Sequence, residues 1–282
     1  MSTTPPAGPL CTRDSLASEL RDIGLQPGET LLVHSSLSSL GWVCGGPGAV
    51  VMALLDALGD RGTLVVPTHS GDNSDPANWS NPPVPETWWA DIRASMPAYD
   101  PRTTPTRGVG AIPEAFRNWP GAARSAHPQT SFAAIGPRAS TIVDSHALDC
   151  QLGERSPLAR LEEARARILL LGAGFESCTA FHLAEYRIPA PQVDSSFAVM
   201  TPQGRRWSTV RDTSITDDRF DDLGAAFEKE RPVVRGTVGA AEARLFSLAD
   251  AVAYAQVWLA EHRPRASSTQ TPSREQRGEK GG

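Results

Sequence analysis

Residues 30–66, TLLVHSSLSSLGWVCGGPGAVVMALLDALGDRGTLVV, decide the fold. Thr30 to Val33 is an apolar run of strand length that closes on His34-Ser35-Ser36. Gly45-Gly46-Pro47-Gly48 is a tight turn with Pro47 where a helix can start, because a first helical turn does not need the missing N–H. The helix runs through Ala57 and buries Val50, Leu54 and Leu58; Gly59 and Gly62 end it, and Thr63 to Val66 is the next strand. Strand, glycine-bearing loop, helix, strand is a βαβ unit. Strands this uniformly apolar require a sheet covered on both faces.

Working outward, Thr12 can cap a helix to Ile23 whose buried face carries Leu16, Leu20 and Ile23. Residues 1–11 read as a disordered arm. On the other side, residues 68–106 form a long loop rich in proline, with Trp79, Trp88, Trp89 and Tyr99, and loops of this length in compact enzymes carry function. Helices are expected at Ile112–Trp119, Ala139–Ser145, Pro157–Glu163, Thr179–Arg187, Phe220–Glu230 and Leu248–Ala260. Ser131–Ile135 reads as a strand, Arg167–Leu171 as a central strand, and Val233–Val238 as extended chain. Phe197–Met200 and Arg206–Val210, joined through Thr201-Pro202-Gln203-Gly204, read as a hairpin. The expected fold is α/β: a layered mixed β-sheet flanked by helices, with a long irregular substrate loop and a small β-hairpin subdomain. It forms one domain over 12–262, and 263–282 reads as a disordered tail because it lacks apolar residues beyond Ala266.

Composition narrows the function. At 40% hydrophobic and 21% charged over 282 residues the chain has material for a real core. A net charge of -5 disfavours nucleic acid, which needs a basic footprint, and suits a cationic ligand. No apolar run approaches the roughly 20 residues of a membrane span, and the N-terminus lacks the basic-then-apolar pattern of a signal peptide. Cys11, Cys44, Cys150 and Cys178 are too far apart for a zinc motif and read as reduced structural thiols. The expected setting is cytoplasmic, with a small cationic amine as partner, no metal, and a monomer or homodimer.

Three places carry candidate chemistry. His182 and Glu185 lie three residues apart on one helix, so both side chains share a face, just beyond the C-terminal edge of the Arg167–Leu171 strand. A neutral imidazole beside a carboxylate suits a general base that removes a proton from an attacking amine, although a surface His–Glu pair is the plainer alternative. Ser35, Ser36, Leu37 and Ser38, with Val43, Gly45 and Gly46, form a small-residue turn whose backbone N–H groups can receive phosphate or amide oxygens. The stretch matches neither GxGxxG nor GxxxxGK[ST], so dinucleotide and P-loop readings are poor; an ordinary β–α turn stays open. His127, in Ser125-Ala126-His127-Pro128, is either a loop anchor or a ligand contact. Among the acids, Asp72 and Asp212 each follow a strand, whereas Asp217 to Asp222 read as the polar start of a helix. His34 and His69 rank below His182, one closing a strand and the other opening the long loop.

These motifs, in this order, resemble the aminoglycoside 3-N-acetyltransferase family. The likeness rests on Val33-His34-Ser35-Ser36 with Val43 and Gly45-Gly46-Pro47, on Gly108 to Glu114, and on Arg124 to Pro128. It continues through Arg155 to Arg160, Leu169 to Gly172 and Phe181-His182-Leu183-Ala184-Glu185, so it spans approximately residues 12–262. The resemblance implies transfer of an acetyl group from acetyl-CoA to the 3-amino group of a 2-deoxystreptamine ring by direct amine attack, with no metal. It implies that acetyl-CoA lies against Ser35, Ser36, Leu37, Ser38, Val43, Gly45 and Gly46, with His127 at the family's His-Pro motif. It implies His182 as general base with Glu185 as its carboxylate neighbour, and antibiotic contacts at Asp72 and Asp212. Trp79, in the long loop, is the expected stacking surface for a sugar. The alternatives are an acetyltransferase for another small amine, where an inward-facing Arg107 or Arg211 would signal a phosphonate substrate, or a binding protein without catalysis.

Overall fold

The computed structural model describes residues 8–263. Residues 1–7 of the arm expected at 1–11 and 264–282 of the tail expected at 263–282 lie outside the described residues; Leu10–Cys11, expected in the arm, is a strand with Cys11 buried, and Arg263 is bonded to Glu185. A two-residue strand, β1 (Leu10–Cys11), leads into α1 (Arg13–Asp22). Thr12 and Ser15 form a reciprocal capping box there, each side chain bonded to the other's backbone N–H, so α1 starts where the sequence places it. Then come β2 (Thr30–Ser35), β3 (Trp42–Val43), α2 (Gly46–Leu58) and β4 (Thr63–Pro67). Gly45 holds φ +86 at the start of α2, a left-handed turn that a residue with a Cβ adopts only under strain. Strands β2 and β4 pair in parallel, Leu31 against Leu64, as the βαβ reading requires.

The rest of the chain supplies α3 (Trp89–Ser95), α4 (Ala111–Arg117), β5 (Ala123–Arg124), β6 (Phe132–Ile135), α5 (Ala139–Val143) and α6 (Pro157–Glu163). It continues with β7 (Arg167–Leu171), α7 (Phe181–Glu185), β8 (Gln192–Thr201), β9 (Gly204–Thr213), α8 (Phe220–Glu230), β10 (Val233–Val238), β11 (Ala241–Ser247) and α9 (Leu248–His262). Seven strands form one mixed sheet in the order β10-β11-β7-β2-β4-β6-β5, while β8 and β9 form a separate hairpin. The parallel block is β7-β2-β4, with antiparallel strands on either side.

Alternation along those strands splits the core in two. Leu31, Val33, Leu64, Val66, Leu169 and Leu171 point to the layer of α1, α2 and α4. Leu32, Val65, Ile168 and Leu170 point to the opposite layer, where α5 to α9 pack. Each is 1% exposed or less, worth about 1.5–3 kcal/mol of burial apiece, so both faces are fully occupied. The site is therefore confined to the ends of the strands.

Within the expected domain, the structure differs from the sequence reading in three places. Ala241–Ser247 is a strand paired between β10 and β7; Glu242 and Arg244 among short alanines hid its apolar alternation. The hairpin is longer than expected at both ends, and Asp212 sits inside β9 rather than after it. Finally, the long loop holds a helix, α3, and its inner contacts go partly to the hairpin and partly to residues 124–131. Asn73 exchanges two hydrogen bonds of 2.9 Å with the backbone of Ala198, and Arg205 Nε donates to Met96 O at 2.9 Å. Tyr99 donates its hydroxyl to Ser125 O at 2.8 Å. The insertion is a brace for β8–β9.

Candidate active site

A cleft of about 1010 Å³ opens at the C-terminal ends of the three parallel strands. Pockets for small ligands run to roughly 300–1,000 Å³, so this cleft is at the large end of that range. Carboxyl ends of strands are where open α/β sheets place ligands, because the chain reverses there and leaves the backbone uncovered. Each parallel strand contributes: β2 gives Val33 to Ser38, β4 gives Pro67 and His69, and β7 gives Gly172 and Ala173.

The turn after β2 is fixed by a serine ladder. Ser39 Oγ bonds Ser36 Oγ at 2.9 Å and Gly172 O at 3.1 Å, and Ser36 N donates to Leu171 O at 2.9 Å. The turn is thereby held to the end of β7. Ser35, Ser36, Leu37, Ser38, Val43 and Gly46 all line the cleft, as expected for one binding surface. Gly45 does not line it and instead shapes the turn. The first residue of α2, Gly46, faces the cleft with no side-chain cap on the helix, so N–H groups of a 13-residue helix are open there.

His182 enters the cleft from α7, opposite that turn. Its ring is 13% exposed, and Nδ1 bonds Glu185 Oε2. Glu185 is fully buried; its Oε1 accepts from Thr216 N at 3.1 Å and from the Arg263 guanidinium. A carboxylate on Nδ1 fixes the tautomer with the proton on that nitrogen and leaves Nε2 with a free lone pair. Phe220 lies against the imidazole, ring centroids 4.8 Å apart. The sequence reading joined His182 to Glu185, and the structure brings them together. It left Arg263 to the tail, where no pattern marked it.

Two further histidines stand behind His182. His34, two residues on from Leu32 and so on the same face, meets Thr179 Oγ1 at 3.4 Å; His69 follows β4. Burial, with the positive charge of a protonated His182 as a second cause, drives both down to about 3. Both are neutral throughout the physiological range.

The other expected contacts fall elsewhere. His127 is 0% exposed: its Nδ1 accepts from Gln129 N and Thr130 N at 3.2 and 3.1 Å, and its Nε2 faces Leu148 O at 3.2 Å. Both nitrogens are engaged within the protein, which is the loop-anchor arrangement. Asp212 is 3% exposed and accepts from Gln151 N, the Tyr186 hydroxyl and Thr213 N, so it is turned into the protein rather than toward the cleft. Asp72 points to solvent beside Arg107 at 3.5 Å, and Trp79 donates to Ser74 Oγ at 2.9 Å within its own loop. None of these four lines the cleft.

The acids that do line it are Glu176, which no sequence signal marks, and Asp217, which reads in the sequence as the polar start of a helix. They are the only full charges among the lining residues. Arg107 and Arg211 are exposed on the outside, paired with Asp72 and Asp194. Among the described residues, the cleft therefore has a negative wall and no arginine or lysine lining it.

The buried imidazoles give a stability prediction. In the folded protein His34 and His69 stay neutral until about pH 3, and burial lowers His127 to about 4. In the unfolded chain they protonate near 6.5. The unfolded state binds more protons below that value, so stability is fully present above about pH 6.5 and falls as pH drops toward 4. Urea unfolding should show a loss of at least about 3 kcal/mol between pH 7 and pH 5. An unchanged midpoint would mean these rings accept protons while folded.

Comparison with known proteins places this geometry. The family model described as aminoglycoside 3-N-acetyltransferase matches residues 32–260. The SPbeta prophage-derived aminoglycoside N(3')-acetyltransferase-like protein YokD of Bacillus subtilis is 47% identical over 250 residues, 88% of this chain and 92% of the relative. The crystal structure of YokD superposes with a TM-score of 0.88, covering 92% of this chain and 96% of that one at 45% identity. Aminoglycoside N(3)-acetyltransferase VII of Streptomyces paromomycinus is 38% identical over 90% of this chain and 93% of its own. Solved structures that carry ligands include AAC-IIIb as a binary complex with CoASH (TM-score 0.78, 31% identity, 89% and 97% covered) and AAC-VIa bound to sisomicin (TM-score 0.80, 33% identity, 89% and 98% covered).

Proposed function

Because this chain belongs to the aminoglycoside 3-N-acetyltransferase family, we propose that it transfers the acetyl group of acetyl-CoA to the 3-amino group of a 2-deoxystreptamine aminoglycoside. One observation carries the mechanism: the free Nε2 of His182 faces the same cleft as the β2 turn, with Nδ1 held by a buried carboxylate.

Acetyl-CoA lies along Ser35 to Ser38, Val43 and Gly46, where the open N–H groups at the start of α2 favour its diphosphate. The CoASH complex of AAC-IIIb supports that use of the fold. The amine binds against Glu176 and Asp217, which draw a polycation into the cleft and hold it facing the imidazole. The sisomicin complex of AAC-VIa supports this class of ligand.

The neutral amine attacks the thioester carbonyl carbon, forming the C–N bond. The C–S bond breaks and the electron pair leaves on sulfur. His182 Nε2 takes the proton that the nitrogen sheds and can return it to the thiolate. Glu185 stabilises the imidazolium that forms in between. Proximity in one cleft, rather than a covalent intermediate on the protein, supplies the rest of the rate.

The test is thiol release when acetyl-CoA is mixed with 2-deoxystreptamine aminoglycosides, with the acetylated position assigned by NMR. Thiol release with acetylation at the 3-amino group is the expected result. Tight binding of both ligands with no thiol released would leave a binding protein instead. Asp217→Asn and Glu176→Gln should each raise KM for the aminoglycoside about tenfold, the worth of ~1.4 kcal/mol, while KM for acetyl-CoA stays put. Equal effects on both substrates would show that these acids do not form the amine side.

A further inference from the structure

Glu185 has two side-chain neighbours on its carboxylate. His182 bonds one oxygen, and the guanidinium of Arg263, just past the end of α9, bonds the other. Arg263 also donates through Nη2 to Thr216 O at 2.7 Å and Asp218 O at 3.4 Å. Its guanidinium lies 5.8 Å from the centroid of Phe220, the same ring that the imidazole packs against. One side chain therefore ties the buried carboxylate, the segment that carries Asp217, and the aromatic floor under His182.

We propose that Arg263 is a positioning residue that sets the proton affinity of His182 by sharing the charge of Glu185. A carboxylate that serves imidazole alone favours the imidazolium strongly. Divided with a permanent cation, it favours the imidazolium less.

The other charges facing these groups do not perform this task. His34 on β2 and His69 beyond β4 are neutral above about pH 3. Glu176 and Asp217 on the cleft wall are solvent-exposed and screened. Arg219 lies over Trp258 and donates to His262 O, while the Asp218 side chain is exposed. Among the described residues, Arg263 is the one permanent cation in contact with Glu185.

The catalytic consequence rests on His182 acting as the base, so the test has one readout that needs turnover and one that does not. In Arg263→Gln the His182 ring, followed by NMR across pH, should protonate about one pH unit higher than in wild type. The acid limb of the kcat/KM profile should move by the same amount: about tenfold loss at the acid end and within about threefold of wild type at the alkaline end. Arg263→Lys keeps the charge and should leave the ring titration near that of wild type. Arg263→Met, which fills similar volume over Phe220, takes the place of Gln if that variant does not fold.

Loss of packing alone predicts the opposite sign, because a displaced Glu185 would stabilise the imidazolium less. A ring titration that stays put or moves down in the neutral variants therefore overturns the proposal. If the ring titration moves up while wild type releases no thiol with any amine, the charge sharing stands and acetyl transfer is the reading that fails.

Discussion

His182→Ala lowers kcat at least about 100-fold, the lower end of general-base effects, while acetyl-CoA binds as tightly as before. The reason is that no neighbour can take over. His34 and His69 are close enough to feel the charge of His182, but burial holds them at about 3. Bases that weak are about a thousandfold or more poorer at accepting a proton than ordinary imidazole. Glu185 is engaged on both oxygens and fully buried, so it cannot reach the amine itself. Stopped-flow or steady-state thiol release measures kcat, and calorimetry measures acetyl-CoA affinity. Activity within a few-fold of wild type would mean the proton leaves by another route.

Glu185→Gln should have the next largest effect, and on two quantities at once. The amide is nearly isosteric but carries no charge, so the imidazolium formed during proton removal loses its counter-ion, and kcat falls about 100-fold or more. Arg263 is left half-buried without its anionic partner. Breaking a buried pair this way costs about 3–5 kcal/mol, and the melting temperature should drop by several degrees. The two effects separate by salt: about 0.5 M salt screens the exposed side of Arg263 and recovers part of the stability, but it does not restore kcat. A variant as stable as wild type with full turnover would show that the His182–Glu185 bond is incidental.

The residues that could be read ahead of the structure share one property: their partners are close in sequence. His182 and Glu185 meet because a helix puts positions three apart on one face, and the β2 turn follows from glycine and proline chemistry within a few residues. The parallel sheet was legible because both strands of the 30–66 unit are apolar on both faces. Residues whose role depends on long-range placement were not. Asp212 and Asp217 are five apart with similar local surroundings, yet one is locked against Gln151 and Tyr186 and the other faces the cleft. The tryptophan-rich loop reads as a substrate loop because aromatic side chains suit sugars. Its hydrogen bonds to Ala198 and Arg205 show it supporting the hairpin. Arg263 sits at the edge of a polar segment with no apolar pattern, and only the end of α9 brings it onto Glu185.

The central claim is that one lone pair, on Nε2 of His182, meets the amine beside the thioester. The most direct measurement is a crystal structure with CoA and a 2-deoxystreptamine aminoglycoside bound together. The predicted result puts the 3-amino nitrogen within about 3.5 Å of that Nε2, the CoA sulfur on the side of Ser35 to Ser38, and other ammonium groups against Glu176 and Asp217. An antibiotic seated instead on Asp72 and the loop tryptophans, with no amine within reach of the imidazole, would contradict it.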